Sequence, residues 1–211
     1  MEIPEYLTVD SAFMHWHTKA LVKAYRNLPT STRRSWVWWK LPLPPMRKMS
    51  FADLIEEIPE GAEWFSAEKT RQLLDMMSPV NKEKVTRAQK QGREIIGAVY
   101  KRTRPNEVGK KVQRAEVRFD DVSGCLRTPA GGSSRQVIVV VNGQTVKARL
   151  ISSRETARLM GLPDEYFLPS NYNEAYHLTG DGVVVPVVRH LAAHIFEPIL
   201  AMSHSVAMVA A

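Results

Sequence analysis

The residues best suited to binding a charged partner lie between positions 101 and 118. Seven of them are cationic, against only Glu107 and Glu116. A two-stranded ribbon with this charge would fit the major groove of DNA and neutralise phosphates. The charge alone does not single out DNA as the partner. The cationic residues are Lys101, Arg102, Arg104, Lys110, Lys111, Arg114 and Arg118.

A glycine- and serine-rich segment at residues 124–136 is the second candidate. Arg127 and Arg135 flank it, so backbone N–H groups and guanidinium donors lie close together in sequence. Phosphate oxygens and guanine edges accept hydrogen bonds from both kinds of donor. A flexible connection between two strands would have a similar composition.

The run Gly180-Asp181-Gly182 is the third candidate. Glycines permit a backbone conformation that bulkier residues avoid, and such a turn can approach a ligand closely. The valines at 183–185 predict a short buried strand or entry segment, and Pro186 suits the first turn of a helix. Without a further signal, a plain tight turn is the favoured interpretation of so short a glycine pair.

A capped helix precedes this turn. Ser152 and Glu155 have the spacing of a capping box, and Gly161 provides the stop signal. Arg154 and Arg158, four residues apart, project from one side of the helix. The buried face is expected to consist of Ala157, Leu159 and Met160.

Two hairpins are expected between these candidates. The first joins residues 95–104 to 110–119, and alternation on its return strand puts Arg114 and Arg118 on the face opposite Ala115 and Val117. The second joins 136–141 to 144–150 through Asn142-Gly143, a pair that tolerates the positive φ of a type I′ turn.

Helices are expected to flank the hairpins, which makes the fold class mixed α/β. Cap residues and prolines predict helices over about 17–28, 51–57, 66–77, 78–92 and 186–202. Trp36 and Trp38 would share one strand face. They would anchor the proline-rich segment to a neighbouring domain or, as the alternative, form a base-stacking surface. The first helix is expected to bury Leu21, Ala24 and Leu28, and the last Val187, Leu191, Ile195 and Leu200.

Composition narrows the class of protein. The chain has 211 residues, a net charge of +7 and one cysteine, and its pI is about 9.6. The positive charge favours a polyanionic partner, nucleic acid before membrane. One cysteine excludes an internal disulfide and fits a reducing compartment. We find no apolar run near the roughly 20 residues that span a bilayer and no signal peptide, so a soluble cytoplasmic protein is expected.

Two stretches resemble conserved motifs of the cytosine-5 DNA methyltransferases. Residues 149–166 resemble the family's ninth motif, and the run from Gly180 to Val187 resembles its tenth. Their order and separation also match. The likeness covers the C-terminal third closely and the rest loosely, as the target-recognition region. The matching positions of the ninth motif are Arg149, Arg154, Glu155, Ala157, Arg158, Leu159, Met160, Gly161, Pro163, Asp164 and Tyr166.

The resemblance implies a domain plan. Residues 1–48 would connect to a catalytic domain, 49–148 would form a β-rich target-recognition domain with helical flanks, and 149–211 would complete the methyltransferase domain. The C-terminal helix would pack on a Rossmann-like methyltransferase domain and expose an apolar face in the isolated chain. Such a protein would work on DNA in a prokaryotic cytoplasm.

The resemblance also implies site residues. The ribbon cations would bind duplex DNA, and Gly180, Asp181, Gly182 and Val183 would complete a site for S-adenosylmethionine. Asp181 stands where relatives carry asparagine, so it can only accept a hydrogen bond. Arg149, Arg154, Glu155 and Arg158 would be structural. The base or phosphate contacts of the loop would be Arg127, Thr128, Gly131, Gly132, Ser133, Ser134 and Arg135.

The family's reactive motifs do not occur in this sequence. Methylation at carbon 5 needs a thiolate nucleophile and an acid, which relatives supply as Pro-Cys-Gln and Glu-Asn-Val, beside a Phe-x-Gly-x-Gly cofactor loop. Cys125 lies in Gly-Cys-Leu, where many relatives carry threonine, and is interpreted as structural or as a neighbour of DNA. We therefore expect the recognition half of a split enzyme, inactive without a catalytic chain.

Two alternatives remain open. The chain could be a DNA-binding regulator or remnant that acts without methyl transfer. It could also be a self-contained enzyme with His15 and His17 as metal ligands, joined by His177, although no further Cys or His cluster supports four-fold coordination.

Overall fold

A computed structural model describes residues 15–127 and 135–202. The chain divides into two units, one made of Met1–Met46 with Val187–Ala211 and the other of Arg47–Pro186. We call these unit 1 and unit 2. The expected loop contacts Thr128, Gly131, Gly132, Ser133 and Ser134 lie outside the described residues. The domain boundaries implied by the resemblance stay a prediction.

Unit 1 contains helices α1 (Lys19–Arg26) and α2 (Thr30–Arg34). The Thr18 hydroxyl caps α1 by accepting from the backbone N–H of Leu21. The expected burial of Leu21, Ala24 and Leu28 was wrong, because the buried residue of α1 is Tyr25. The rings of Trp36 and Trp38 pack on Tyr25, with centroids 5.5 and 4.9 Å from it.

The tryptophan segment, residues 36–39, has no regular secondary structure and does not pair in a sheet. Trp36 and Trp38 do lie on one side of it, with ring centroids 5.4 Å apart. The two rings therefore form a hydrophobic anchor on Tyr25 of the same unit. The expected anchoring to a neighbouring domain stays a prediction.

The helices of unit 2 begin with α3 (Ala67–Asp75) and α4 (Pro79–Gln89), close to their expected positions. The expected helix over 51–57 is only a 3-10 turn, Ala52–Leu54. Ile55 is extended, so the backbone N–H of Glu56 reaches the Glu155 carboxylate at 2.8 Å. That distant contact ends the helix early.

Unit 2 also holds an antiparallel sheet of four strands in the order β2-β1-β3-β4. Both expected hairpins are confirmed, but the second turn was placed one residue early. Asn142 pairs with Thr145 within the ladder, so Gly143, with φ of +54°, and Gln144 form the turn. The strands are β1 (Glu94–Pro105), β2 (Lys111–Arg118), β3 (Val137–Asn142) and β4 (Thr145–Leu150).

Both faces of the sheet are covered at its base. Apolar residues of α3 and α4, including Leu73 and Val85, pack against Val99 and Val139 on one face. The other face buries a second cluster. Because strand side chains alternate in direction, the apolar run of β3 serves both clusters. The second cluster consists of Phe51, Ala98, Ile138, Ile151 and Tyr176.

Three helices follow the sheet: α5 (Ser153–Leu159), α6 (Tyr172–Asp181) and α7 (Val185–Leu191). A π-helical turn over Ala192–Phe196 continues α7, and helix runs on to Met202. The expected burial of Val187, Leu191, Ile195 and Leu200 was wrong, since none of the four is buried. The expected apolar surface is present instead, with Phe196 58% and Met202 70% exposed.

By length and composition alone, the helical stretch Tyr172–Met202 could cross a membrane. The estimate from the sequence, that no apolar run approaches this length, was therefore wrong. The helix is interrupted at residues 182–184. A helix that packs on another protein surface can meet the same criteria, so the finding does not assign a location.

Candidate nucleic-acid interface and adjoining glycine turn

The cationic ribbon is the part of the first hairpin that projects beyond the sheet. β1 pairs with β3 only as far as Val99, whereas its pairing with β2 continues to Pro105. Residues 100–105 and 111–116 therefore form a two-stranded ribbon, closed by a turn in which Gly109 has φ of +77°.

One face of the ribbon concentrates arginine. Arg102 lies directly opposite Arg114 in the pairing register, an arrangement that repels. Glu116 relieves it, with its carboxylate 3.8 Å from Arg102 Nε and 3.4 Å from Arg104 Nε. Arg102 also lies over the Tyr100 ring, 4.7 Å from its centroid. Arg102 and Arg104 thus share one carboxylate, on a face that also carries the half-buried Arg114.

The other predicted cations of the hairpin occupy different places. Alternation puts Lys101 on the opposite face, and Lys110 and Lys111 lie exposed at the ribbon's turn. Arg118 lies at its base, where it donates to both carboxylate oxygens of Asp120 at 2.7 and 2.6 Å. These bonds hold the pKa of Asp120 below its usual value. Arg118 is therefore already paired within the protein.

The segment between β2 and β3 is anchored at its first end by Asp121, which sequence reasoning missed. Asp121 has φ of +60°, and its carboxylate accepts from the backbone N–H of Phe51 at 2.8 Å. Arg47 donates to the Asp121 carbonyl at 2.7 Å. Only the tolerance of aspartate for positive φ could have pointed to this residue, since its partners lie some 70 positions away in sequence.

The second end is held by α6. Arg135 donates to the Asn173 side-chain oxygen and lies 5.4 Å from the Tyr172 ring centroid. The backbone N–H of Gln136 donates to the Tyr176 hydroxyl at 3.2 Å. Burial raises the pKa of both tyrosines, so both stay protonated at neutral pH. Between the anchored ends, Cys125 and Arg127 are exposed.

The capping box of α5 is confirmed and belongs to a buried ion pair. Ser152 and Glu155 satisfy each other's backbone N–H groups. Arg149 donates to both Glu155 oxygens at 2.8 and 2.6 Å, with both side chains fully buried. It also donates to the Glu56 carbonyl at 2.8 Å and lies over the Trp64 ring.

The other two motif arginines hold the chain that follows α5. Arg154 is 3.4 Å from the Pro163 carbonyl. Arg158 donates to both Asp164 oxygens at 2.7 and 2.9 Å, which lowers the pKa of Asp164 and raises that of Arg158. Of the expected apolar residues of α5, Ala157 and Met160 are buried and Leu159 is half-buried.

The glycine turn differs from the expectation. Gly180 and Asp181 end α6, and Gly182 has φ of −71°, so no special backbone conformation is needed there. Val183 is 66% exposed, so of the two expectations for residues 183–185 the buried strand was wrong. The segment instead leads into α7, which begins at Val185. The glycine turn begins where α6 ends. The last turn of α6 is fixed to α5 by the buried Thr179 hydroxyl, which lies 3.0 Å from that of Thr156.

The two motif segments contact each other at Gly161. The backbone N–H of Val185 donates to the Met160 carbonyl at 2.8 Å. Gly161 has φ of +77°, and a Cβ there would lie 2.5 Å from Pro186 Cδ. A glycine is therefore required for this contact, which sets the position of residues 180–183 relative to α5.

Residues 180–183 carry the two kinds of group that one edge of a cofactor site would need. In the described part of the chain they present the exposed Val183 and the carboxylate of Asp181, an apolar surface and a hydrogen-bond acceptor. Among residues 15–127 and 135–202, no three His, Cys, Asp or Glu side chains are placed to share a metal ion. The metal-ligand alternative for His15 and His17 gains no support from this.

Taken together, these features define a mixed α/β protein with a projecting cationic ribbon, followed by two docked motif segments. The sequence profile of the C-5 cytosine-specific DNA methylase family matches residues 23–197. This chain belongs to that family, and the resemblance seen in the sequence is confirmed at family level.

A distant partial match is consistent with the family. Over 49 residues the chain is 45% identical to the type II methyltransferase M.BanI of Aneurinibacillus aneurinilyticus. The matched segment covers 23% of this chain and 11% of M.BanI, so the chain matches only a small part of that protein's length.

Proposed function

We propose that this chain is the target-recognition half of a split cytosine-5 DNA methyltransferase and works with a separate catalytic chain. The main support for this proposal is the arginine face of the ribbon, because the chain belongs to a DNA methylase family. The family profile supports DNA and S-adenosylmethionine as ligands. The match to M.BanI supports a place in a restriction-modification system.

In this proposal the ribbon holds the duplex. Arg102, Arg104 and Arg114 neutralise phosphates or reach base edges, and DNA takes over the role that Glu116 has in the free protein. The segment 122–136 contributes Arg127 and the loop residues beyond it. The described ends of this segment are anchored at Asp121 and Gln136, and the target cytosine would be extruded toward the partner.

The glycine turn would meet the cofactor at the boundary with the catalytic chain. S-adenosylmethionine supplies the methyl group when bound. Asp181 would accept a hydrogen bond from one of its donor groups, and Val183 would cover apolar surface. The exposed residues that follow, such as Phe196 and Met202, would be buried against the same partner.

The nucleophile is assigned to the partner because of the context of Cys125. This single cysteine lies in Gly-Cys-Leu, not in Pro-Cys-Gln, and its thiol faces the Leu126 carbonyl at 3.3 Å.

Labelled methyl transfer from S-adenosylmethionine into duplex DNA tests the proposal. This chain would be immobilised and used to capture the catalytic chain, which carries Pro-Cys-Gln, from host lysate. Four samples would be assayed: each chain alone, the two chains together, and the catalytic chain with the Cys125→Ser variant of this chain. Transfer is expected only in the two mixtures. Transfer by this purified chain alone would refute the split, and failure of every mixture would leave the DNA-binding regulator as the better account.

Salt dependence tests the ribbon. Replacing Arg102, Arg104 and Arg114 by Gln should lower the slope of log affinity against log salt by up to about 2.7, or about 0.9 per lost phosphate contact. The matched control replaces Lys82 and Arg87 of α4 and Lys90 at its C-cap, and we call it the α4 variant. Lys82 pairs with Asp75 and Arg87 with Glu83. Equal slopes for the two variants would remove the ribbon from the interface.

A further inference from the structure

Helix α1 of unit 1 carries a second cationic surface, which we call the α1 face. It consists of Lys19, Lys23 and Arg26, all exposed. Their spacing of four and then three residues puts them on one side of the helix. None of the three has an ion-pair partner among the described residues. The α1 face was not among the candidates recognised from the sequence.

The α1 face has no carboxylates nearby in the sequence to balance its positive charge. The sequence contains no Asp or Glu from residue 11 to residue 52, a stretch with eight Lys or Arg residues. Within the described residues of unit 1, the single carboxylate is Glu197, and it pairs with Arg189. On α4, by contrast, Arg87 has Glu83 four residues away.

The arrangement is unfavourable for an isolated helix. Lys19 occupies the first position of α1, where the positive end of the helix dipole repels a cation by about 0.3–1 kcal/mol. Lys19 and Lys23 form a like-charge pair that costs a further 0.2–0.5 kcal/mol or so. No acidic residue lies in the first turn. A bound polyanion would offset both of these repulsions.

The inner side of α1 leaves these residues no other role in packing. Tyr25 is 2% exposed and packs against Trp36 and Trp38. Leu21 and Val22 are half-buried, and Ala20 and Ala24 complete the outer surface. The three cations therefore extend from the face opposite the aromatic anchor.

We propose that the α1 face binds the phosphate backbone of duplex DNA independently of sequence, as a second contact in addition to the ribbon. The proposal rests on the proposed function, in which this chain binds DNA. The exposed positions of α1 between the cations are alanines, so the helix lacks the bulky apolar residues with which an amphipathic helix enters a lipid surface. Phosphate contacts need only the charges.

The test compares three variants of the full chain on two duplexes of unrelated sequence. Replacing Lys19, Lys23 and Arg26 by Gln, which keeps helix propensity, should weaken binding equally on both duplexes. It should also reduce the salt slope by up to about 2.7. The α4 variant removes the same net charge and should leave the slope nearly unchanged.

The ribbon triple variant separates this proposal from the proposed function. If the ribbon variant loses salt dependence and the α1 variant matches the α4 variant, the α1 face is refuted while the proposed function stands. If only the α1 variant shows a reduced salt slope, the assignment of the ribbon to the DNA interface fails. Binding of the wild type to phosphatidylserine vesicles that disappears in the α1 variant, with DNA binding unchanged, would overturn the proposal in favour of a membrane.

Lysine acetylation of the wild-type chain provides a readout that does not depend on variants. Bound DNA should protect Lys19 and Lys23 from the reagent, while Lys90, the C-cap of α4, stays reactive. Equal modification of Lys19 with and without saturating DNA would refute the α1 face.

Discussion

At Gly161 the lack of a side chain decides whether two segments can meet. Gly109 has the same φ of +77° but nothing near its missing Cβ, whereas at Gly161 that atom would lie 2.5 Å from Pro186 Cδ. Gly109→Ala should cost about 1–2 kcal/mol for the left-handed backbone. Gly161→Ala should cost a further 1–3 kcal/mol or so for overpacking. Equal losses in urea denaturation would contradict the close contact.

The buried pair of Arg149 and Glu155 gives a second residue-level prediction. Arg149→Met leaves a fully buried carboxylate without its cation, so the free energy of unfolding should fall by about 3–5 kcal/mol. Adding Glu155→Gln should recover part of this loss, because it removes the unpaired charge. Arg87→Met, in an exposed pair with Glu83, should change it by about 0.5 kcal/mol or less. Denaturation of the four proteins checks the order.

The pair of Arg118 and Asp120 predicts a pH dependence. The lowered pKa of Asp120 means that its stabilising effect is complete above the unfolded value, about 3.9. The effect is lost as the pH falls through the lower folded value. Arg118→Gln should therefore be less stable than wild type at pH 7, and the difference should narrow below about pH 4. A difference that stays constant down to pH 2 would show that the ion pair is not responsible.

At the scale of elements, α6 connects the segment between β2 and β3 to the two motif segments, residues 149–166 and 180–187. Its first turns hold Arg135 and Gln136 through Asn173 and Tyr176, and its last residues form the glycine turn. Tyr176→Phe removes the acceptor of a buried N–H and should cost about 1–3 kcal/mol. Hydrogen exchange should quicken at Gln136 more than at Val139. Glu174→Gln, at an exposed position of the same helix, is the control.

Local signals predicted the elements whose partners are near in sequence. The caps at Ser66 and Ser152, the return strand of the first hairpin and the stop at Gly161 all follow from short-range spacing. The short turn at Ala52–Leu54 could not be predicted, because Asp121 and Glu155 decide its ends from far away in sequence. For the same reason the burial of Tyr25 on Trp38 was missed.

The sequence predicted which residue types form the candidate site better than it predicted how these residues are arranged in space. Charge counting found the ribbon, but only the pairing register brings Arg102 opposite Arg114 and assigns Arg118 to Asp120. Arg135 was expected to contact DNA, and that stays a prediction. Its guanidinium contacts α6 in this structure, so Asn173→Ala should free it. If Arg135 anchors the segment, Asn173→Ala should lower the affinity for all DNA sequences alike in a binding titration. If Arg135 reads a base, Arg135→Gln should instead reduce the difference in affinity between target and non-target DNA.

For the whole molecule, the central claim is that DNA recognition and bond formation lie on different chains. DNA with 5-fluorocytosine at the target traps the covalent intermediate, because the fluorine on carbon 5 cannot leave as a proton does. In a mixture of this chain, the catalytic chain and S-adenosylmethionine, the account predicts DNA covalently attached to the catalytic chain. Attachment to Cys125, or an adduct formed by this chain alone, would contradict it.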